Sequence, residues 1–191
     1  MITYSKFFSV LFIATAILSC NNPANKGLVI MKTDQDIFFE RFMALEGKRF
    51  QGTQVFISPN MESWDGFEIV MHVREFHPDV VYMPLRVGVN TSRTWALYRD
   101  NNNRLRFRHD HRHADGTPEN LSLYGGFHTT GGNAFTQVFP ADEYTCNMAP
   151  AICDNEWTLS FNEDLSAFSY ILNKAGEKVF QLDFDLTSVT E

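Results

Sequence analysis

From residue 48 onward, apolar and polar positions alternate in short runs rich in β-branched and aromatic residues, and Gly, Pro, Asn and Asp punctuate them. This pattern predicts about ten antiparallel strands, over 49–57, 67–76, 80–89, 93–99, 104–110, 120–124, 134–139, 156–161, 168–173 and 178–185. Between residues 34 and 47 the period changes. Ile37, Phe38, Phe42 and Leu45 recur at helical spacing while Glu40, Arg41 and Glu46 fall elsewhere, so one amphipathic helix is expected, capped by Asp34 and ended by Gly47. A third pattern opens the chain. Phe7 to Leu18 is an apolar run, broken only by Ser9 and Thr15, preceded by Lys6 and followed by Ser19, Cys20, Asn21, Asn22 and Pro23, too short to span a bilayer but suited to an export signal.

A helix followed by about ten meandering strands is an all-β class. Such strands bury their apolar faces either as two packed sheets or as one sheet rolled into a barrel, and closure removes exposed edges. The segment Leu45-Glu46-Gly47-Lys48-Arg49-Phe50-Gln51-Gly52 runs from helix to strand through two glycines. It resembles the entry of calycin barrels, the lipocalin and nitrobindin type, which implies a closed lipocalin-like β-barrel. No internal repeat or second composition regime marks a further domain. The expected organisation is a signal peptide over 1–19, a tether over 20–33 and a single barrel domain with its leading helix over 34–191.

The stretch Ile17-Leu18-Ser19-Cys20 resembles the bacterial lipobox. The resemblance implies a lipoprotein whose Cys20 carries lipid, with a membrane as its partner and the cell envelope, at the outer membrane, as its place. The chain has three cysteines. With Cys20 lipidated, Cys146 and Cys153 remain as an even pair, and a disulfide between them persists in an oxidising compartment. Closing so short a loop contributes about 2–3 kcal/mol. A formal net charge of −7 argues against nucleic acid or an anionic lipid surface as partner. The sequence sets no oligomeric state.

The segment richest in candidate chemistry is Arg104-Leu-Arg-Phe-Arg-His-Asp-His-Arg-His113. On a strand, Leu105, Phe107, His109, His111 and His113 share one face, so the strand is expected to run from an apolar interior to a mouth lined with imidazoles. A hairpin loop centred on Asn101-Asn102 would set Tyr98 against Leu105, Ala96 against Phe107 and Thr94 against His109. On the outer side it would pair Arg93 with Asp110 and Trp95 with Arg108. Histidines two apart on a strand have Cβ atoms about 6.5–7 Å apart and can share a metal ion, whereas those four apart cannot. A third ligand would come from His128, His72 or Glu119.

Known metal motifs are only partly matched. His111-Arg-His113-Ala-Asp115 resembles a His-x-His-x-Asp set, with Gly116 where a further histidine is usual, and His111, His113 and Glu119 resemble a cupin set with too long a gap. Tyr124-Gly125-Gly126 and Gly131-Gly132 are expected as turns, and Phe139-Pro-Ala-Asp142 and Ser92-Arg-Thr-Trp95 as fixed corners. No Gly-x-Ser-x-Gly elbow exists, so no catalytic residue is assigned. As a set, residues 109–116, 124–126 and 139–142 resemble an uncharacterised family of small bacterial secreted or lipid-anchored proteins, from which no catalytic role transfers. The leading expectation is a barrel that binds a small amphipathic ligand with an acidic or metal-binding head. The rivals are an enzyme using a metal or haem at His109, His111 or His113, and a structural lipoprotein with a filled barrel.

Overall fold

A computed structural model describes residues 31–59 and 61–190; the expected export signal, Cys20 and most of the expected tether lie outside the described residues. Helix α1 spans Asp34–Arg41 and continues as a 3-10 turn over Phe42–Leu45. Its cap is Thr33 rather than Asp34. The Thr33 hydroxyl accepts from the Asp36 N–H at 3.2 Å while the Asp36 carboxylate accepts from the Thr33 N–H at 3.0 Å, a reciprocal pair that satisfies two helix-end donors. The buried stripe is Phe38, Phe39 and Phe42, and Ile37 faces solvent, one position off the expected face. Gly47, at φ +78°, ends the segment in the left-handed region.

Eleven strands follow: β1 (Arg49–Ile57), β2 (Ile69–His72), β3 (Glu75–His77), β4 (Val80–Val87), β5 (Asn90–Arg99), β6 (Leu105–His111), β7 (Tyr124–Phe127), β8 (Thr136–Pro140), β9 (Asn155–Phe161), β10 (Ala167–Lys174) and β11 (Glu177–Thr190). The strand expected over 67–76 divides in two. Val73 leaves the sheet there to bond residues 47 and 48, its N–H donating to the Lys48 carbonyl and its carbonyl accepting from the Gly47 N–H. Helix α2 (Glu143–Met148) was not anticipated; Asp142 caps it and a disulfide joins its Cys146 to Cys153.

The sheet order is β7-β6-β5-β4-β2-β1-β11-β10-β9-β8, antiparallel throughout, with β3 on β4 alone. Because β1 pairs with β11, the meander curls into a nearly closed barrel. The remaining seam, between β7 and β8, is spanned by single bonds: the Thr129 N–H donates to the Val138 carbonyl at 2.9 Å and the Asp142 N–H to the Gly125 carbonyl at 3.0 Å. Alternation drives the interior. On β9, Trp157, Leu159 and Phe161 point in, and Phe107, Phe168, Leu182 and Phe184 meet them from other strands. Burying each such side chain stabilises the fold by about 1.5–3 kcal/mol.

The helix fills one end of this interior. Phe38 packs edge-on against Phe161 at 5.6 Å and Phe42 against Phe168 at 5.5 Å. Asp36 accepts from Arg99 and Asn103, both at 3.1 Å, which fixes the helix to the β5–β6 hairpin. The barrel is therefore plugged where β5 ends and β6 begins, and any cavity must lie toward the start of β5 and the end of β6.

Candidate functional site

That opposite end is set by the register of β5 on β6. The pairs are Arg99 with Leu105, Leu97 with Phe107, Trp95 with His109 and Arg93 with His111, one residue removed from the expected register. The connection has three residues, Asn101-Asn102-Asn103, not two. Asn103 sits at φ +58°, Asp100 and Arg104 close the turn through an N–H to carbonyl bond of 3.0 Å, and the Asp100 carboxylate accepts from the N–H groups of Asn102 and Arg104. The extra residue turns every second side chain of β5 inward. Trp95 and Arg93, expected outside, line the interior, and Arg93 faces His111 instead of Asp110.

The resulting pocket has a volume of about 200 Å³. Its floor is aromatic: Trp95 stacks on Tyr170 at 4.5 Å with rings 10° from parallel, and His109 lies 5.8 Å from Tyr170. One wall is Trp64 against Phe180, 4.9 Å apart, brought over the mouth by the loop between β1 and β2. The Arg93 guanidinium lies 5.2 Å from the Trp64 ring. Met61, Glu62, Leu172, His111 and Tyr124 complete the rim.

His109 is buried with both ring nitrogens engaged. Its Nδ1 lies 3.3 Å from the Tyr124 carbonyl, which can only accept, so the proton is assigned to Nδ1; Nε2 then accepts from the Tyr170 hydroxyl at 3.0 Å. Burial, with His111 and Arg108 nearby, pushes its pKa down to about 3, although the carbonyl opposes this. His111 is also held below the ordinary imidazole value, by burial first and by Arg93 second, against the opposing pull of Glu119 and Asp110. Its Nε2 is 3.2 Å from the Tyr124 hydroxyl and its Nδ1 3.8 Å from the Glu119 carboxylate. Burial raises the Tyr124 phenol to about 12 and Tyr170 well above its usual value, so both remain protonated donors.

Comparison with models of known protein families and with curated proteins gives no match for this chain. The site is therefore read from its own residues. Of the predicted candidates, His109, His111 and Glu119 come together here. The Tyr124 ring stacks on His109 at 4.4 Å and lies 5.5 Å from His111, so it stands against both imidazoles. His113 is exposed beyond the end of β6, where residues 113–116 form a turn closed by the Gly116 N–H on the His113 carbonyl. His128 is at the plugged end, its Nδ1 accepting from the Leu105 N–H at 3.0 Å. His72 lies on the outer side of β2 beside Arg49 and Arg86. Among the described residues no three of His, Cys, Asp and Glu converge as a metal site would require.

Trp64, Trp95, Arg93, Tyr170 and Phe180 were not anticipated as site residues. The signal for two of them was present in the alternation of β5, but it depended on a loop length that a run of three asparagines leaves open.

Proposed function

We propose that this protein is a lipid-anchored, lipocalin-like barrel of the bacterial cell envelope that binds a small amphipathic molecule at the open end of the barrel. One observation carries the reading: an aromatic pocket whose Arg93 has no carboxylate partner among the described residues. A cavity of about 150 Å³ holds benzene, and sites for drug-sized ligands run to about 300 Å³ and above. A pocket of about 200 Å³ therefore suits a single or fused ring with one small polar group, and haem is too large for it.

The envelope assignment rests on the sequence around Cys20, and the Cys146–Cys153 disulfide supports it, because such bonds persist in oxidising compartments. Among the described residues no helix is long and apolar enough to cross a membrane. Lipid on Cys20 supplies membrane affinity at about 0.8 kcal/mol per buried methylene. A filled structural barrel fits the helix end of the interior but not the end bearing the pocket.

Mass spectrometry of the protein purified from its membrane tests both parts. The expected denatured mass corresponds to a chain beginning at Cys20 with added acyl chains, and Cys20→Ala removes that addition. The native spectrum is expected to show a small molecule retained from expression. An unlipidated Cys20 would end the anchoring proposal. A clean protein mass, with no thermal shift from small aromatic compounds, would end the binding proposal.

A further inference from the structure

Six arginines lie between residues 93 and 112. Four are paired with carboxylates: Arg99 with Asp36 at 3.1 Å, Arg104 with Asp100 at 2.8 Å, Arg112 with Asp110 at 2.9 Å, and Arg108 with Asp142. Arg93 and Arg106 have no carboxylate partner among the described residues and lie instead on aromatic rings. Arg106 is on the outer face of the sheet, between Tyr98 and Phe127. Arg93 lines the inner pocket, directly opposite His111 across the β5–β6 ladder.

Once His111 is protonated it stands as a second cation directly opposite Arg93, and the two repel unless an anion lies between them. The pocket otherwise offers a hydroxyl donor, Tyr124, flat apolar walls sized for one or two rings, and the exposed Glu62 at its rim. Resting on the binding function proposed above, we infer that the pocket takes a small aromatic carboxylate, its ring against Trp95, Tyr170 and Trp64 and its carboxylate on Arg93 and the Tyr124 hydroxyl.

The geometry of His111 couples this binding to a proton. In the neutral imidazole with its proton on Nδ1, toward Glu119, Nε2 accepts from the Tyr124 hydroxyl, and that hydrogen is turned away from the pocket. When His111 takes a proton from solvent, Nε2–H donates to the Tyr124 oxygen, and the phenolic hydrogen is free to donate to the ligand. The charged groups around His111 are Arg93 across the ladder, Glu119 from the following loop, Asp110 on its own strand and Glu62 at the rim, with neutral His109 and Tyr124 beside it. Arg93 opposes the proton, and Glu119 and Asp110 favour it. A bound carboxylate cancels the opposition of Arg93, so it raises the proton affinity of His111. By linkage, ligand binding strengthens as pH falls through the imidazole range.

The test uses the full chain in lipid nanodiscs, with empty nanodiscs as the blank, and reads tryptophan quenching by 2-naphthoate and by its neutral isostere 2-naphthamide. Naphthoate is expected to bind the wild type roughly ten- to a hundredfold more tightly than the amide. Arg93→Gln should erase the difference and Arg93→Lys should restore part of it. From about pH 8 to about pH 5.5 the affinity for naphthoate should rise in the wild type and stay flat in His111→Gln. Equal binding of acid and amide would overturn the carboxylate inference and leave the binding function standing, with no variant needed to decide it. Failure of both probes to bind would overturn the two together. A pH-independent affinity for naphthoate in the wild type would remove the proton coupling.

Discussion

His109 is the clearest case of a side chain whose environment fixes its charge. The imidazole is buried among Phe107, Tyr124, Trp157 and Tyr170, which disfavours its cation. Its folded pKa, about 3, lies below the ordinary value of 6.5, so the unfolded chain takes up a proton that the folded one refuses. The stability His109 contributes is complete above the unfolded value and declines as pH falls from there toward 3, at about 1.4 kcal/mol per unit. Urea unfolding at about pH 7.5 and pH 5 should show a loss near 2 kcal/mol in the wild type and a smaller one in His109→Gln. An unchanged loss in the variant would assign the acid sensitivity to another group. The inward position of His109 was legible from the alternation Leu105, Phe107, His109. Its neighbour on β5, Trp95, was not, because that pairing depends on whether the preceding loop holds two residues or three, and Asn103 can adopt positive φ at little cost.

At the level of elements, α2 and β7 form one device. Gly125 and Gly126 belong to β7, not to the turn their sequence suggests, because other backbone passes too close for a side chain. A Cβ on Gly125 would lie 2.0 Å from the Phe107 carbonyl oxygen, and one on Gly126 would lie 1.8 Å from that of Pro140. Gly125 lacks a ladder partner on its β8 side, and Thr145 of α2 replaces it. The buried Thr145 hydroxyl accepts from the Gly125 N–H at 2.8 Å and donates to its carbonyl at 2.7 Å. Asp142 caps α2 and binds Arg108 of β6; burial alone would raise its pKa, but Arg108 and Thr145 hold it below the usual range. Thr145→Val keeps the shape and removes both bonds; the Gly125 carbonyl keeps the Asp142 N–H, so the orphaned Gly125 N–H should set the cost, about 1–3 kcal/mol. Amide hydrogen exchange should quicken at Gly125 and Gly126 before it does in β9 and β10. Uniform quickening would show that the seam is not a separate unit of stability. A helix of six residues offers too little periodicity to announce itself, which is why the sequence offers only a fixed corner, Phe139-Pro-Ala-Asp142, where α2 begins.

For the whole molecule, the all-β meander behind one helix was legible because every long strand is two-faced and every turn carries its own chemistry. Closure depends on a contact that no local pattern reveals. β11 runs fourteen residues and supplies the partner of β1, with Arg49 opposite Thr190 and Ile57 opposite Phe180, while β2 holds only the first part of the other edge of β1. Deleting residues 177–191 removes that partner together with Phe180, Leu182 and Phe184. The truncated chain is expected to lose its cooperative thermal transition by circular dichroism. A retained sharp transition would mean that the other ten strands suffice.

The pairing of β1 with β11 also governs the timing of assembly. A chain made from its amino end produces β1 before the other strands and β11 after them, so one edge of β1 waits while the strands between are synthesised. Hairpins such as β5–β6 and β9–β10 can form as soon as their own residues appear. The step that joins first strand to last draws together the most distant contacts in the domain, and such contacts slow folding. The barrel is thus sealed only after β11 has been made, and until then β1 offers a vacant edge that a chaperone can occupy and a neighbouring chain can invade.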